Sequence, residues 1–332
     1  MKDRNPADKG FISYLAGMDD CGRRIDRVVR KLLPECSLNQ IYANLRKGKI
    51  TLNSKRVPPS CRVNANDRIE IPVDLSPRIE CKKSPVNKSL FRPKIDEIVV
   101  FENENILAVN KPHGMIVHGR NSLEELVSSY LIPRIRTSLS FKPGPLHRLD
   151  RNTTGILLFG KTIEGARRFS ELLNENLCRK HYLALLDGKI SGTMKWENFL
   201  IREGITRITR KGLPGRGKKA LSVVTPLISE REKSLCMITI YTGRTHQIRA
   251  GAAIHGHPLT GDRKYGGSPF KGGYILHSAG LTLPKEDPLL GFRFLYAKPP
   301  PGTLKLLKDF FTEKRVNGII LKLALFISKN KK

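Results

Sequence analysis

Asp150 sits between Arg148 and Arg151 in the run L-H-R-L-D-R-N-T-T-G-I-L-L-F-G-K, residues 146–161. A carboxylate flanked by guanidinium groups keeps its negative charge. At the mouth of a strand such a group can act as a nucleophile or a base, and the apolar run just behind it supplies the strand. A second candidate is G-R-T-H-Q-I-R, residues 243–249, which follows an apolar stretch at 235–241. A turn at Thr242-Gly243 and a helix over 245–255, closed by Gly256 and Pro258, place Arg244 at a strand-to-helix corner, from which a side chain reaches into a cleft. A third is K-H-Y-L-A-L, residues 180–185, with Tyr182 on a strand. Each has a plainer meaning when taken alone. Asp150 would be a surface ion pair, Tyr182 a half-buried strand aromatic, and Arg244 and Arg249 phosphate contacts or helix-end charges. His147 and His246 would be hydrogen-bonded scaffold residues, and neither is assigned a catalytic proton.

Charge narrows the class of partner. The 332-residue chain carries 60 Lys and Arg against 30 Asp and Glu, a formal charge of +30. Such an excess opposes compaction unless a polyanion neutralises it, so nucleic acid is the expected partner. The opening M-K-D-R-N-P has no apolar core and predicts no signal peptide. The apolar stretch at 319–327 is interrupted by Lys322 and too short to span a bilayer, so no membrane role is expected. The six cysteines show no C-x-x-C spacing and His255 and His257 lack a third ligand nearby, which predicts neither metal site nor disulfide framework and fits a reducing cytoplasm. Aromatic residues make up 7% of the chain, too few for a broad stacking platform, so recognition should rest on folded RNA shape and phosphates.

The elements that must position the candidates fall into five stretches. Residues 1–21 form a polar arm without periodicity. Within 22–73, Ile25, Val28, Val29 and Leu32 recur at helical spacing and Pro34 ends that helix. Ser37 and Gln40 make a capping box before a second helix, and Gly48 stops it. Short strands follow, with Val57 on a return strand and alternation at 68–71. Residues 74–95 hold Pro77, Pro85 and Pro93 among lysines and predict a linker. Residues 96–316 carry the chemistry on short β runs with few helices, an α+β domain with a largely antiparallel mixed sheet. Residues 317–332 are a basic extension with no assigned role.

The basic residues concentrate in two places. Between Gly22 and Arg62 there are 11 Lys and Arg against 2 acids, with Arg23, Arg24, Arg27, Arg46, Lys47, Lys49, Lys55 and Arg56 as candidate phosphate contacts. Residues 202–219 carry seven Lys and Arg, among them Arg216, Lys218 and Lys219, with several glycines, and predict a mobile basic loop able to close on RNA.

The H-R-L-D run closely resembles the catalytic H-R-L-D-x-x-T-S-G-L-L-L motif of RluA-type RNA pseudouridine synthases. Residues 110–114 resemble that family's N-K-P-x-G segment, 180–185 its K-x-Y-x-A-L strand, and 243–249 its G-R-T-H-Q-I-R motif. Gly261-Asp262 with Tyr265-Gly266, and the strand at 274–277, match later motifs in the same order. Asn152 stands where the family usually has Asp, Thr154 where it has Ser and Ser278 where it has Ala, which leaves hydrogen-bonding capacity but puts substrate details in doubt. The order of elements in 22–73 resembles the small α-L RNA-binding domain first seen in a small-subunit ribosomal protein.

The resemblance implies a cofactor-independent conversion of uridine to pseudouridine, most naturally in large-subunit ribosomal RNA, by a cytoplasmic monomer. It implies that Asp150 is the catalytic aspartate, that Tyr182 packs on the target base and assists at C5, and that Arg244 pairs with Asp150. Arg148 would take the place of the flipped base, and Arg151, Thr154, Leu276 and Arg249 would contact substrate. Whether Asp150 attacks the sugar, adds to the base or removes a sugar proton stays open. Transfer RNA is the alternative substrate, and a non-catalytic RNA-binding ribosome-assembly factor is the alternative of another class.

Overall fold

The structure is a computed structural model, and it describes residues 10–75, 93–204, 208–213 and 215–329. Residues 1–9 of the expected arm and 76–92 of the expected linker lie outside the described residues, as do 205–207 and 214 of the basic loop and 330–332. The chain separates into two units, one of residues 1–92 with 131–143, the other of 93–130 with 144–332.

In the first unit, β1 (Phe11–Leu15), α1 (Ile25–Leu32), α2 (Leu38–Arg46), β2 (Thr51–Leu52) and β3 (Arg68–Pro72) follow in order. Val28, Val29 and Leu33 on and after α1 lie on one helical face and are buried against Ile41, Leu45, Ile69 and Ile71. The capping box at α2 forms: Gln40 N donates to Ser37 Oγ at 3.3 Å, and Ser37 N donates to Gln40 Oε1 at 2.8 Å. The strands make an antiparallel sheet in the order β1-β3-β2. Two expectations change. Residues 11–15, expected in a loose arm, form the edge strand β1, because Phe11 to Leu15 pair along the length of β3. Val57 lies on no strand, since the chain after β2 turns tightly and makes only a bridge between Leu52 and Lys55.

Residues 131–143 leave the sequence of the catalytic half and pack with this unit. Asp20 is fully buried and accepts hydrogen bonds from Gly17 N at 2.9 Å, Ser138 Oγ at 2.8 Å, Leu139 N at 2.8 Å and Ser140 N at 2.9 Å, with the Ser140 hydroxyl as a further donor. Burial opposes its charge, but these donors outweigh burial and hold the carboxyl below its usual range.

The second unit runs α3 (Ile95–Ile98), β4 (Val99–Glu102), β5 (Ile106–Lys111), α4 (Leu123–Leu131), β6 (Gly144–Pro145), β7 (Thr154–Gly160), α5 (Ile163–Asn174) and β8 (Arg179–Asp187). It continues with β9 (Met194–Arg202), β10 (Thr209–Lys211), β11 (Lys218–Glu230), β12 (Lys233–Ile240), α6 (Gln247–Ile254), β13 (Leu276–Asp287), β14 (Phe292–Tyr296), α7 (Pro301–Leu307) and α8 (Glu313–Lys329). Among the described residues the strands form one sheet in the order β10-β9-β11-β12-β8-β13-β7-β5-β4, with β14 beside β13 and β6 beside β7. Neighbours are antiparallel except β13 and β7, which run parallel through His277↔Thr154. The basic loop is partly ordered as β10 and the start of β11, both paired with β9.

The middle of the sheet explains the continuous apolar run after Asp150. Every residue of β7 is buried, because both its faces are covered. Gly155 is required there: it sits at φ +106°, and a Cβ would lie 2.2 Å from the Ser278 carbonyl oxygen of β13. The C-terminal extension is no appendage. Val316, Ile320, Leu323 and Ile327 of α8 follow a helical stripe and are buried with Leu183, Leu235 and Ala279 of the sheet.

A buried lysine supports the loop that carries Asp150. Lys111, at the end of β5, is fully buried and donates to the carbonyls of Pro112 at 3.0 Å and Arg151 at 2.8 Å. Burial lowers its pKa from 10.5 to about 7, against the pull of the Asp150 carboxylate. Between these two values the unfolded chain holds a proton that the folded chain has released, so this group's contribution to stability rises with pH through that window. From pH 7 to pH 9 the native protein should therefore gain about 2 kcal/mol relative to Lys111→Met, from roughly 1.4 kcal/mol per pKa unit. Denaturant unfolding of both proteins at the two pH values checks this; an identical change in both would refute it.

Candidate active site

Four stretches far apart in sequence converge on one cavity of about 370 Å³: the loop before β7, strand β8, the corner between β12 and α6, and the first residue of β13. They bring Asp150, Tyr182, Arg244, Arg249 and Leu276 to its wall, with Arg148 exposed at its rim.

The centre of the site is a shared cation. Arg249 Nη1 donates to Asp150 Oδ2 at 3.1 Å, while its Nε and Nη2 make a bidentate pair with Asp262 at 2.7 and 2.8 Å. The guanidinium carbon lies 4.6 Å from the ring centroid of Tyr274 and 5.0 Å from that of Tyr265. Burial works against the charge of Arg249, but Asp262, Tyr274 and Asp150 together outweigh it and raise its pKa above the ordinary value.

This geometry corrects the expected partner of Asp150. Arg244 lines the cavity, but its Nε donates to the Lys219 carbonyl at 3.0 Å, and it is Arg249 that pairs with Asp150. The reason is local. His246 adopts a left-handed conformation (φ 52°), an uncommon one for a residue with a side chain, and α6 begins only at Gln247. Arg249 therefore stands on the first turn of the helix and points inward, whereas Arg244 belongs to the preceding loop. Gln247 locks the corner: its Oε1 accepts from Thr242 Oγ1 at 2.7 Å and Arg244 N at 3.1 Å, and its Nε2 donates to Ser222 Oγ at 3.0 Å.

Tyr182 is buried on β8, and burial pushes its phenol well above the ordinary value. At neutral pH it is a protonated phenol, able to offer a ring face and a hydroxyl, with no phenolate in the empty site. His246, expected in the scaffold, stands closer to the chemistry: its Nε2 lies 3.6 Å from Asp150 Oδ2 and its Nδ1 2.8 Å from the Tyr265 hydroxyl. Burial lowers its pKa, with Asp150 opposing in part, so the ring beside the aspartate is neutral.

Two expected substrate contacts point elsewhere. Arg151 is exposed, donates from Nε to the Gly114 carbonyl at 3.0 Å, and does not line the cavity. Thr154 is buried and its hydroxyl bonds His277 Nδ1 at 2.8 Å, tying β7 to β13; Thr153 lines the cavity instead. The expectation named Thr154, and its neighbour reaches the cavity instead because adjacent residues along an extended chain point to opposite sides. Of the expected RNA contacts, Arg27, Arg46, Lys47, Lys49, Lys55, Arg56, Arg216, Lys218 and Lys219 are exposed, Arg23 is half-buried, and Arg24 is engaged with Asp26 at 2.7 Å. Lys219 also pairs with Glu197 at 2.6 Å.

The chain is similar to known proteins. The sequence model of the family described as RNA pseudouridylate synthase matches residues 105–253, which include Asp150, Tyr182 and Arg249. The chain is 33% identical over 280 residues to Ribosomal large subunit pseudouridine synthase C of Escherichia coli (strain K12), covering 81% of this chain and 83% of the relative. It is 32% identical over 285 residues to the protein of the same name from Pasteurella multocida, covering 81% and 82%. In fold it is similar to Human RNA Pseudouridylate Synthase Domain Containing 4, with a TM-score of 0.54 and 19% identity over 67% of this chain and 94% of that one. With this identity over most of its length, the chain belongs to the RNA pseudouridylate synthase family.

Proposed function

We propose that this pseudouridine synthase isomerises specific uridines of large-subunit ribosomal RNA, with Asp150 acting on a flipped-out nucleotide. The observation that carries the reading is the Asp150–Arg249 pair at a cavity walled by Tyr182 and Leu276. The relatives are named for the large ribosomal subunit, and the exposed cations of the first unit suit an RNA surface. The reaction breaks the N1–C1′ bond, turns the uracil and forms C5–C1′ with loss of the C5 proton. It exchanges no electrons and transfers no group to a second molecule, so no cofactor is required. We read the protein as a cytoplasmic monomer; no described helix is long and apolar enough to cross a membrane.

The residues divide the work. Arg249 and His246 both face Oδ2 of Asp150, which leaves Oδ1 as the oxygen for the reacting sugar. Tyr182 and Leu276 receive the two faces of the base, and Arg148 at the rim fills the gap left in the RNA, offsetting an extrusion cost of a few kcal/mol. Arg244 and the cations of the first unit hold phosphates. Tritium release from C5-tritiated uridine, measured separately on large-subunit ribosomal RNA and on transfer RNA, tests the substrate; release from transfer RNA alone would overturn it.

The two arginines should behave differently. Arg249→Met leaves the buried Asp262 and the half-buried Asp150 without their cation, at a cost of about 3–5 kcal/mol of stability, and should lower the single-turnover rate at least 100-fold. Arg244→Met should weaken RNA binding while the bound complex reacts within about tenfold of the native rate. Kinetics and thermal unfolding of both variants check this, and the reverse pattern would return the pairing role to Arg244.

For the first unit, replacing Arg27, Arg46, Lys47, Lys49, Lys55 and Arg56 with Gln should flatten the salt dependence of RNA binding, by roughly 0.7–0.9 in log–log slope for each phosphate no longer neutralised. An unchanged slope in a filter-binding titration would show that this face does not meet RNA.

A further inference from the structure

Part of the active-site cavity is lined by groups that neither hold Asp150 nor pack on the base. Lys180, two residues before Tyr182 on β8, is only 8% exposed, and among the described residues no hydrogen bond or ion pair engages its ammonium. His147, which opens the H-R-L-D run, lines the same cavity. Its Nε2 accepts a hydrogen bond from Leu158 N at 3.2 Å, so that nitrogen carries no proton. In the neutral ring the proton therefore sits on Nδ1, and Nδ1 is buried without a partner. Burial and the nearby Lys180 both keep His147 neutral. Lys180 thus brings to the cavity wall an ammonium without a counter-charge, and the neutral His147 beside it supplies none.

We propose that Lys180 Nζ donates to a carbonyl oxygen of the target uracil, and that it stabilises the negative charge the base carries once detached from the sugar. The proposal rests on the pseudouridine synthase reading. When the N1–C1′ bond breaks, its electron pair leaves with N1, and the charge spreads over N1, O2 and O4 of the uracil. Lys180 donates a hydrogen bond to a carbonyl oxygen without giving up its proton. When C5 bonds to C1′ the base is neutral again and the hydrogen bond relaxes; the C5 proton then leaves and N1 takes up a proton.

Asp150 has its ion pair with Arg249, and among the described residues none joins it to Lys180, so Lys180 is free for the substrate. Burial lowers the pKa of Lys180 in the empty site. An oxygen of growing negative charge reverses that penalty, so the interaction is stronger in the transition state than in the bound ground state. Donors arranged in advance for such a charge are typically worth about 100- to 1000-fold in rate.

The test is single-turnover kinetics of native protein and Lys180→Met on RNA carrying uridine or 5-fluorouridine at the target site, read for both as loss of the N1-linked nucleotide from nuclease digests, since the fluorinated base has no C5 proton to lose and keeps its fluorine. Fluorine makes the detached base a weaker base and reduces its need for stabilisation. Lys180→Met should react about 100-fold more slowly with uridine. Its deficit with 5-fluorouridine should be at least several-fold smaller, with RNA affinity within threefold of native. Because the substitution removes a buried unpaired cation, its melting temperature should be equal or higher. Should it fail to fold, Lys180→Gln, which keeps a donor but loses the charge, should show a smaller deficit that is again larger with uridine than with 5-fluorouridine. A variant that reacts at the native rate, loses both bases equally, or loses rate only through RNA affinity overturns the proposal. No reaction by the native protein on either RNA would instead remove the reading on which it rests.

Discussion

One guanidinium answers two carboxylates. Arg249 holds Asp262 with two hydrogen bonds and Asp150 with one, between the rings of Tyr274 and Tyr265. Neither acid tolerates burial without it, and Asp262 is almost fully enclosed. The arrangement ties α6 to the loop before β7 and to the segment leading into β13. It depends on His246 in the left-handed region, on Gln247 bracing the corner, and on Gly155 letting β7 run against β13. Asp150 is therefore an aspartate whose orientation is set by an ion pair rather than by its own loop.

The site is cationic beneath its surface as well as on it. Lys111 supports the carbonyl that follows Asp150, and Lys180 stands at the wall of the cavity; burial disfavours the charge on each. A chain selected for stability alone would place apolar side chains there. Their presence fits an active site organised around a reacting base that carries charge for only part of the cycle.

Much of this was legible in the sequence because it is local. The capping box of Ser37 and Gln40, the unbroken apolar strand after Asp150 and the strand–turn–helix around Arg244 are each set within a few residues, and the structure contains all three. What the sequence reading missed or misassigned depends on residues that meet only in space. Choosing between Arg244 and Arg249 requires knowing that the helix starts after a left-handed His246. Pinning 131–143 on Asp20 joins residues 118–120 positions apart. The stripe of α8 was present as Val316, Ile320, Leu323 and Ile327, but the basic extension around it was assigned no role. Thr153 and Thr154 differ only in the face of the chain they occupy.

Asp150 is where the chemistry succeeds or fails. Asp150→Asn keeps the side chain's shape and removes its charge, and tritium release from C5-tritiated uridine in ribosomal RNA reads the chemistry directly. The expected result is no release above background while RNA binds within a few-fold of the native affinity. Release near the native rate would contradict the central claim, because a neutral amide cannot do the work assigned to the carboxylate.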